Sequence, residues 1–245
     1  MLRAFWTCLL LAVLVYPASA ADVSRHMIDL DGVSRSYHLY VPETAKGPAP
    51  LLVVLHGSQQ DGERLLNLWK DRADQNGFVL VAPNSRHKGG WQLAEDGPRF
   101  IQAVLREVVG LAPIDGRRIY LFGYSGGAVF ALDLSMLESE FFAATAIHAG
   151  AWRAKDDFFL LTLSRRKIPL AIIVGDRDEF FSLDTVHKTE TALKDAGFPV
   201  NVMVIPGHHH ALASETAPVV TDKAWCFLSG YALDQPPRFQ GYKLD

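Results

Sequence analysis

Short apolar runs alternate along this chain with longer segments in which apolar residues recur at helical spacing. Apolar runs of this length, bounded by Gly, Pro or His, are typical of strands buried on both faces of a parallel sheet. The alternation predicts an α/β fold with a doubly wound, mostly parallel sheet and helices on both faces. The predicted strands are 36–41, 51–55, 78–82, 119–122, 143–147, 170–174 and 200–205, and the predicted helices are 63–73, 99–109, 126–137, 183–196 and 215–228.

The first twenty residues have the pattern of an export signal. Arg3 precedes a compact apolar run at 8–15, and Ala18-Ser19-Ala20 forms a small-residue cleavage site. The run is shorter than the roughly 20 residues that a membrane-spanning helix needs. We therefore expect residues 1–20 to be a removable signal peptide, with an uncleaved anchor as the alternative. Residues 21–245 are then one secreted or periplasmic domain, with no membrane association after cleavage.

Composition excludes several classes of protein. The 245 residues are 49% hydrophobic with a net charge of −3, which is typical of a globular domain. Because no cluster of Lys or Arg interrupts this balance, we expect no nucleic-acid partner. Removal of the signal takes away Cys8 and leaves Cys226, so no internal disulfide can form. Cys226 lies in the apolar stretch AWCFL, which predicts a buried structural thiol.

The chemistry-bearing motif is Gly-Tyr-Ser-Gly-Gly at 123–127, a G-x-S-x-G sequence. It follows a predicted strand and opens a predicted helix, as a nucleophile elbow requires. The glycines allow strand and helix to approach closely, and the turn presents the Ser125 hydroxyl above the sheet. The backbone N–H of Gly126 then points toward a developing oxyanion. A glycine-rich turn without chemistry is the alternative.

An acidic partner for Ser125 is expected at the carboxyl end of a later strand. Three acids follow the predicted strand 170–174, at Asp176, Asp178 and Glu179. The acid must reach back over the top of the sheet to an imidazole, which favours Asp178 over Asp176 and Glu179. For the other acids we expect a solvated loop or an ion pair with Arg177.

Three consecutive histidines follow the predicted strand 200–205, at His208, His209 and His210. Adjacent side chains in a loop cannot all point at Ser125, and we favour His210 as its general base. Consecutive residues rarely converge on one ion, and neither H-E-x-x-H nor paired Cys accompanies them, so we expect no metal. The glycine spacing at 57–62 is similar to that of a P-loop, but Glu63 and Arg64 stand where Lys and Ser/Thr are required. We expect no cofactor.

The remaining site candidates surround the predicted nucleophile. The second oxyanion donor is expected after the strand 51–55, where the backbone N–H of Ser58 is our candidate. His56 precedes Ser125 and is expected to stabilise the turn rather than to catalyse. Tyr124 flanks the nucleophile, and Trp91 is one of the aromatic residues expected to line the site, so both are candidates for substrate binding, with ordinary packing as the alternative.

With these residues in place, the chain resembles the α/β-hydrolase superfamily between about residues 36 and 228. More narrowly, it is similar to exported esterases of the polyhydroxybutyrate depolymerase-like and feruloyl or acetyl-xylan esterase-like group. It departs from that group at Ser58, where Cys or Gly is frequent, and at 96–100, where Asp-Gly-Pro-Arg-Phe replaces Asp-Val-x-Phe. The motifs that carry the resemblance are YHLYVP, LLVVLHG, GFVLVAPN, GGWQ, IDGRRIYLFGYSGG, GDRD and PGHHH.

The resemblance implies an α/β-hydrolase fold and a serine carboxylesterase that works through an acyl-enzyme intermediate. Fewer than twenty residues separate His148-Ala-Gly150 from the strand at Leu170, so we expect no large lid and an open site. An open site lined by aromatic residues suits esters carried on large molecules, such as acylated carbohydrates or polyesters. A serine peptidase on the same fold and a non-catalytic binding module are the alternatives.

Overall fold

The computed structural model of the protein describes residues 22–153 and 155–241, and the predicted signal peptide at 1–20 lies outside these ranges. Eight described strands form one sheet in the order β1-β2-β4-β3-β5-β6-β7-β8. All neighbouring strands from β4 to β8 in this order are parallel, whereas β2 is antiparallel to both β1 and β4. The strands are β1 Ser24–Leu30, β2 Val33–Tyr40, β3 Ala49–Leu55, β4 Val79–Pro83, β5 Ile114–Tyr124, β6 Ala144–His148, β7 Leu170–Gly175 and β8 Val200–Ile205.

Helices cover both faces of this sheet. One face packs against α3, α4 and α5, and the other packs against α1 and α6. Each face therefore has its own apolar core, and the doubly wound, mostly parallel fold that the sequence predicts is confirmed. The helices are α1 Gly62–Asn76, α2 Leu93–Asp96, α3 Pro98–Leu111, α4 Gly126–Leu137, α5 Leu183–Asp195 and α6 Ala217–Leu228.

The strand β1 was not predicted from the sequence. Most of its residues are exposed or half-buried, because it lies at the edge of the sheet, and so it lacks the apolar run of a central strand. It pairs with β2 through a two-residue turn at Asp31-Gly32, where both φ angles are positive, at 56° and 78°. Asp-Gly is a strong signal for such a hairpin, and it could have revealed this strand.

Cys226 is exposed, and the prediction of a buried thiol is therefore wrong. The buried residues of α6 recur at helical spacing and include Val220, Ala224, Trp225 and Leu228. Cys226 follows Trp225 by one residue, which turns its side chain about 100° away from the buried stripe. Apolar neighbours in sequence do not share one face of a helix, so the composition of AWCFL was misleading.

The connection between β6 and β7 places little structure above the sheet. Its only described regular element is a 3-10 helix at Lys155–Leu163, which agrees with the expected absence of a large lid in the described part of this connection. Among the helices in residues 22–153 and 155–241, none is long and apolar enough to cross a bilayer.

Candidate active site

The sharp turn between β5 and α4 carries Ser125. Its φ and ψ angles are 54° and −118°, a conformation that costs energy for any residue other than glycine. The turn needs small neighbours, because a Cβ on Gly123 would lie 2.2 Å from the backbone oxygen of Gly127. A Cβ on Gly127 would lie 2.1 Å from the oxygen of Leu55. The G-x-S-x-G pattern thus reflects close contacts among β5, α4 and the end of β3.

A continuous hydrogen-bonded chain runs from Ser125 to Asp178. Ser125 Oγ lies 2.9 Å from His210 Nε2, and His210 Nδ1 lies 3.0 Å from Asp178 Oδ2. Because an ionised carboxylate only accepts, Nδ1 donates to Asp178. In the neutral imidazole Nε2 then has no proton and can accept one from the serine hydroxyl. The structure therefore brings together the three residues that sequence analysis favoured.

Asp178 is held as a carboxylate by its surroundings. Its side chain is fully buried, which by itself raises the pKa. Hydrogen bonds from the His210 ring and from the backbone N–H groups of Phe181 and Phe180 outweigh this effect, so the pKa of Asp178 lies below its ordinary value. A negative charge next to Nδ1 stabilises the imidazolium that forms when His210 takes a proton.

The two acids that were not favoured both accept hydrogen bonds from the loop after β8, which carries His208, His209 and His210. Asp176 Oδ1 accepts from the backbone N–H of Gly207 at 2.6 Å. Glu179 accepts from the backbone N–H of His210 at 3.0 Å and from the ring of His209 at 2.6 Å. The expectation of a solvated loop or an ion pair with Arg177 therefore missed their contacts with the loop after β8, since sequence spacing alone does not show which loops meet.

The three histidines have three different environments. His209 is exposed and is bonded to Glu179, whereas His208 is buried, with its Nε2 3.2 Å from the Nε2 of His148. His148 Nδ1 lies 3.1 Å from the backbone oxygen of Ile173 and must donate to it, so His208 donates between the two rings. Only His210 faces the hydroxyl of Ser125.

The rings of the three histidines point to different partners. In the part of the chain that the structure describes, no three side chains of His, Cys, Asp or Glu gather as metal ligands do. The ring of His210 contacts Ser125, that of His209 contacts Glu179, and that of His208 contacts His148.

The predicted oxyanion donors lie beside each other. Ser58 follows β3, and a Cβ placed on Gly126 would lie 3.4 Å from its backbone nitrogen. Gly126 begins α4, and the N–H groups of a helix's first turn have no acceptor within the helix. A Cβ placed on Gly57 would lie 3.3 Å from Ser125 Cβ, so this loop packs directly against the serine turn.

His56 and Trp91 support this loop from behind. The His56 ring accepts from the backbone N–H of Ser85 at Nε2 and bonds the oxygen of Gly57 at Nδ1, which confirms its expected role in the turn. Trp91 Nε1 donates to the His56 oxygen at 2.8 Å, and its ring stacks on Phe130. Trp91 is not among the described residues that line the cavity above Ser125, and these contacts favour the packing alternative, while its part in substrate binding stays a prediction.

An open cavity of about 660 Å³ lies above Ser125. Tyr124 lines it as expected, but its hydroxyl also donates to the backbone oxygen of His210 at 3.2 Å. Phe180 is 66% exposed at the cavity and lies 4.7 Å from the His210 ring, measured between centroids. The lining residues are Gly57, Ser58, Gln59, Gln60, Tyr124, Ser125, Gly126, Val129, Ala151, Arg153, Phe180, Phe181 and His210.

Sequence reasoning missed Arg153 in this cavity. Its guanidinium donates to the backbone oxygen of Phe180 at 2.8 Å and lies 4.2 Å from the centre of the Phe181 ring. The arginine thus fixes the aromatic segment that follows Asp178. Arg153 occurs in no recognisable motif, and only its position after β6 could have suggested that it lies near the sheet's carboxyl edge.

The sheet order and the serine turn are those of an α/β-hydrolase, and the match to a family model over most of the chain confirms the resemblance to that superfamily. The chain belongs to the Dienelactone hydrolase family, whose profile matches residues 38–227.

Individual relatives are distant. The chain is 26% identical to a bifunctional acetylxylan esterase/xylanase of Neocallimastix patriciarum over 164 residues, which cover 64% of this chain and 23% of that protein. It is 26% identical to an esterase of Yersinia pestis, over 47% of this chain and 29% of that protein. The chain thus spans about a quarter of the length of these curated relatives. A poly(3-hydroxybutyrate) depolymerase of Bordetella parapertussis shares the fold, with 18% identity, a TM-score of 0.66, and coverage of 87% of this chain and 92% of that one.

Proposed function

We propose that this protein is an exported serine carboxylesterase in which Ser125, His210 and Asp178 act as a catalytic triad. The observation that carries the proposal is the unbroken chain of contacts from Ser125 Oγ through both nitrogens of His210 to Asp178. Ser125 and His210 line a cavity that is large enough for a small ester. Membership of a hydrolase family and the names of the relatives support the same chemistry.

Acylation begins when Ser125 Oγ attacks the carbonyl carbon of the ester. His210 Nε2 accepts the hydroxyl proton, and Asp178 stabilises the resulting imidazolium through Nδ1. The carbonyl oxygen becomes an oxyanion and accepts hydrogen bonds from the backbone N–H groups of Gly126 and Ser58. His210 then returns the proton to the departing alcohol, and the acyl group remains on Ser125.

Deacylation repeats these roles with water as the nucleophile. His210 removes a proton from water, the hydroxide attacks the acyl carbon, and Ser125 leaves with the proton that the imidazolium returns. Asp178 stays ionised throughout, which its low pKa favours. No metal or cofactor takes part in the proposed mechanism.

The proposed substrates are esters carried on large molecules, such as acylated carbohydrates or polyesters. The cavity is open, and the exposed Phe180 ring at its edge offers apolar contact to a bulky substrate. The acetylxylan esterase relative and the depolymerase neighbour act, by their names, on substrates of these two kinds. Neither a nucleic acid nor a membrane is proposed as a partner of the mature chain.

Hydrolysis of p-nitrophenyl acetate by the purified protein tests the activity. Ser125→Ala should lower turnover by a factor on the order of 10⁶. Ser229→Ala is a matched control, because Ser229 is an exposed residue at the end of α6 and should leave the rate unchanged. Equal rates for the wild type and Ser125→Ala would contradict the proposal.

A substrate panel separates the alternatives. Acetylated and feruloylated sugars, hydroxybutyrate oligomers and short acyl esters are compared with peptide p-nitroanilides. Ser125-dependent cleavage of the anilides alone would favour a serine peptidase, and binding of a substrate without turnover would favour a binding module.

Export is tested separately. Expression of the full chain, followed by N-terminal sequencing of the protein outside the cytoplasm, should give a chain that begins at Ala21. An intact N-terminus that starts at Met1 would contradict the proposed signal peptide.

A further inference from the structure

Ser58, in the loop after β3, lines the cavity above Ser125 and carries a side-chain hydroxyl in addition to its backbone N–H. We propose that Ser58 Oγ donates a third hydrogen bond to the oxyanion, beside the backbone N–H groups of Ser58 and Gly126. The proposal rests on the esterase function proposed above and adds a second role for Ser58, through its side chain.

The Ser58 hydroxyl lies close to Gly126. A Cβ placed on Gly126 would lie 2.6 Å from Ser58 Oγ, 3.4 Å from Ser58 N and 3.7 Å from Ser58 Cβ. The hydroxyl is therefore the part of Ser58 that lies nearest the residue after the nucleophile. Both Ser58 and Gly126 line the cavity that contains Ser125 and His210.

A second glycine, Gly90, also lies close to the Ser58 hydroxyl. A Cβ placed on Gly90 would lie 3.1 Å from Ser58 Oγ, and Gly90 has a φ of 137°. Ser58 is exposed, and within residues 22–153 and 155–241 its hydroxyl has no hydrogen-bond partner. A donor at the cavity wall that bonds no protein group is available to a ligand.

The loop is held in place without the help of this hydroxyl. The backbone N–H of Gln59 donates to the oxygen of Lys88 at 2.7 Å, and that of Gln60 donates to the oxygen of Gly57 at 3.2 Å. Trp91 Nε1 donates to the backbone oxygen of His56, two residues before Ser58, at 2.8 Å. Because the loop is already ordered, a donor on it needs little rearrangement when charge develops on the substrate.

The chemistry requires no proton transfer from Ser58. When Ser125 Oγ bonds the carbonyl carbon, the carbonyl π electrons move to the oxygen, which gains a full negative charge. The Ser58 hydroxyl donates a hydrogen bond to that oxygen and keeps its proton. When the carbonyl reforms and the alcohol leaves, the charge returns and the hydrogen bond weakens. Ser58 thus stabilises the transition state more than the bound ester.

Kinetics of Ser58→Ala, which keeps the backbone N–H, test the third donor. Loss of one oxyanion donor should lower kcat by a factor on the order of 10² with KM little changed. Ser58→Thr keeps a hydroxyl on the same Cβ and should recover most of the lost rate. Ser58→Ala should also weaken binding of an alkyl trifluoromethyl ketone by a similar factor, because its adduct with Ser125 carries an oxyanion. Unchanged kcat and unchanged ketone affinity in Ser58→Ala would overturn the proposal.

A structural role would give a different result. If Ser58 only packs against Gly126 and Gly90, Ser58→Ala should lower the thermal unfolding midpoint or raise KM without a matching loss of ketone affinity, and this outcome also overturns the proposal. Ser229→Ala again serves as the remote serine control.

Labelling of Ser125 by a fluorophosphonate probe distinguishes failure of the third donor from failure of the esterase function. If Ser125→Ala abolishes labelling and turnover while Ser58→Ala matches the wild type, only the third donor fails. If Ser125→Ala retains wild-type turnover, the esterase function fails, and the third donor fails with it.

Discussion

The carboxylate of Glu179 accepts a hydrogen bond from the backbone N–H of His210 at 3.0 Å. Asp178, the residue before Glu179, accepts from the ring of the same histidine. The other carboxylate oxygen of Glu179 accepts from the ring of His209. These bonds, first that from His210 and then that from His209, hold the pKa of Glu179 below its ordinary value. The loop after β7 therefore orients His210 through its backbone as well as through its ring.

Glu179→Ala should lower kcat for p-nitrophenyl acetate by about three- to tenfold, the effect of losing one positioning hydrogen bond. KM should change little, because Glu179 does not line the cavity. Glu190→Ala is a control that removes another carboxylate with hydrogen bonds of its own, on α5. A kcat for Glu179→Ala equal to that of the control would show that the Asp178 contact alone orients His210.

The two aspartates of the same loop should differ strongly. Asp178→Asn should lower kcat by a factor on the order of 10⁴, because an amide neither stabilises the imidazolium nor maintains the required tautomer. Asp176→Asn changes a carboxylate that bonds Gly207, and its amide oxygen can still accept that bond. We expect less than a tenth of the activity to be lost in Asp176→Asn. Similar losses in the two variants would contradict the assignment of Asp178.

Two glycine-to-alanine changes should have opposite effects on stability. In Gly127→Ala the new Cβ meets the backbone oxygens of Leu55 and His56, so the free energy of unfolding should fall by about 3 kcal/mol. Gly110 lies in α3 with no atom near the position of its absent Cβ, and Gly110→Ala should raise the free energy of unfolding by about 0.5–1 kcal/mol. Urea unfolding measures both values, and equal stabilities would contradict the close packing at the serine turn.

Stability should fall as the pH decreases below about 6.5 because of His148. Burial, followed by the neighbouring His208, lowers the pKa of His148 from 6.5 to about 3. Between these values the unfolded chain binds a proton that the folded protein does not, so acid favours unfolding by up to about 1.4 kcal/mol per pH unit. Above pH 6.5 both states are neutral at this site and the effect disappears.

Urea unfolding of the wild type and of His148→Asn from pH 7.5 to pH 4.5 checks this dependence. The variant should be less stable at every pH, but its stability should change less steeply with pH. Parallel curves would mean that another group is responsible for the acid sensitivity.

Cys226 should react with a thiol reagent in the folded protein, because its side chain is exposed. Titration with Ellman's reagent without denaturant should count one thiol fewer in Cys226→Ser than in the wild type. The substitution should change the free energy of unfolding by less than about 0.5 kcal/mol, as is usual for an exposed position. Reaction only after addition of denaturant would contradict the exposure of this residue.

Sequence pattern determined most of the framework of this protein. The buried strands β3 to β7 are continuous apolar runs because both of their faces pack against helices, and such runs can be recognised from the sequence alone. The turn at Ser125 could also be predicted from the sequence, because contacts close to Ser125 require its glycines. The edge strand β1 escaped detection because exposure on one side removes the apolar pattern.

Tertiary structure decided what the loops do. Asp176, Asp178 and Glu179 are close in sequence but make different contacts, because these contacts depend on where the loops after β7 and β8 meet in space. The same holds for Trp91, which packs behind the loop after β3, and for Cys226, whose face of α6 is set by the position of Trp225. Local sequence specifies local backbone, whereas the direction of a loop side chain is fixed by contacts with segments far away in the chain.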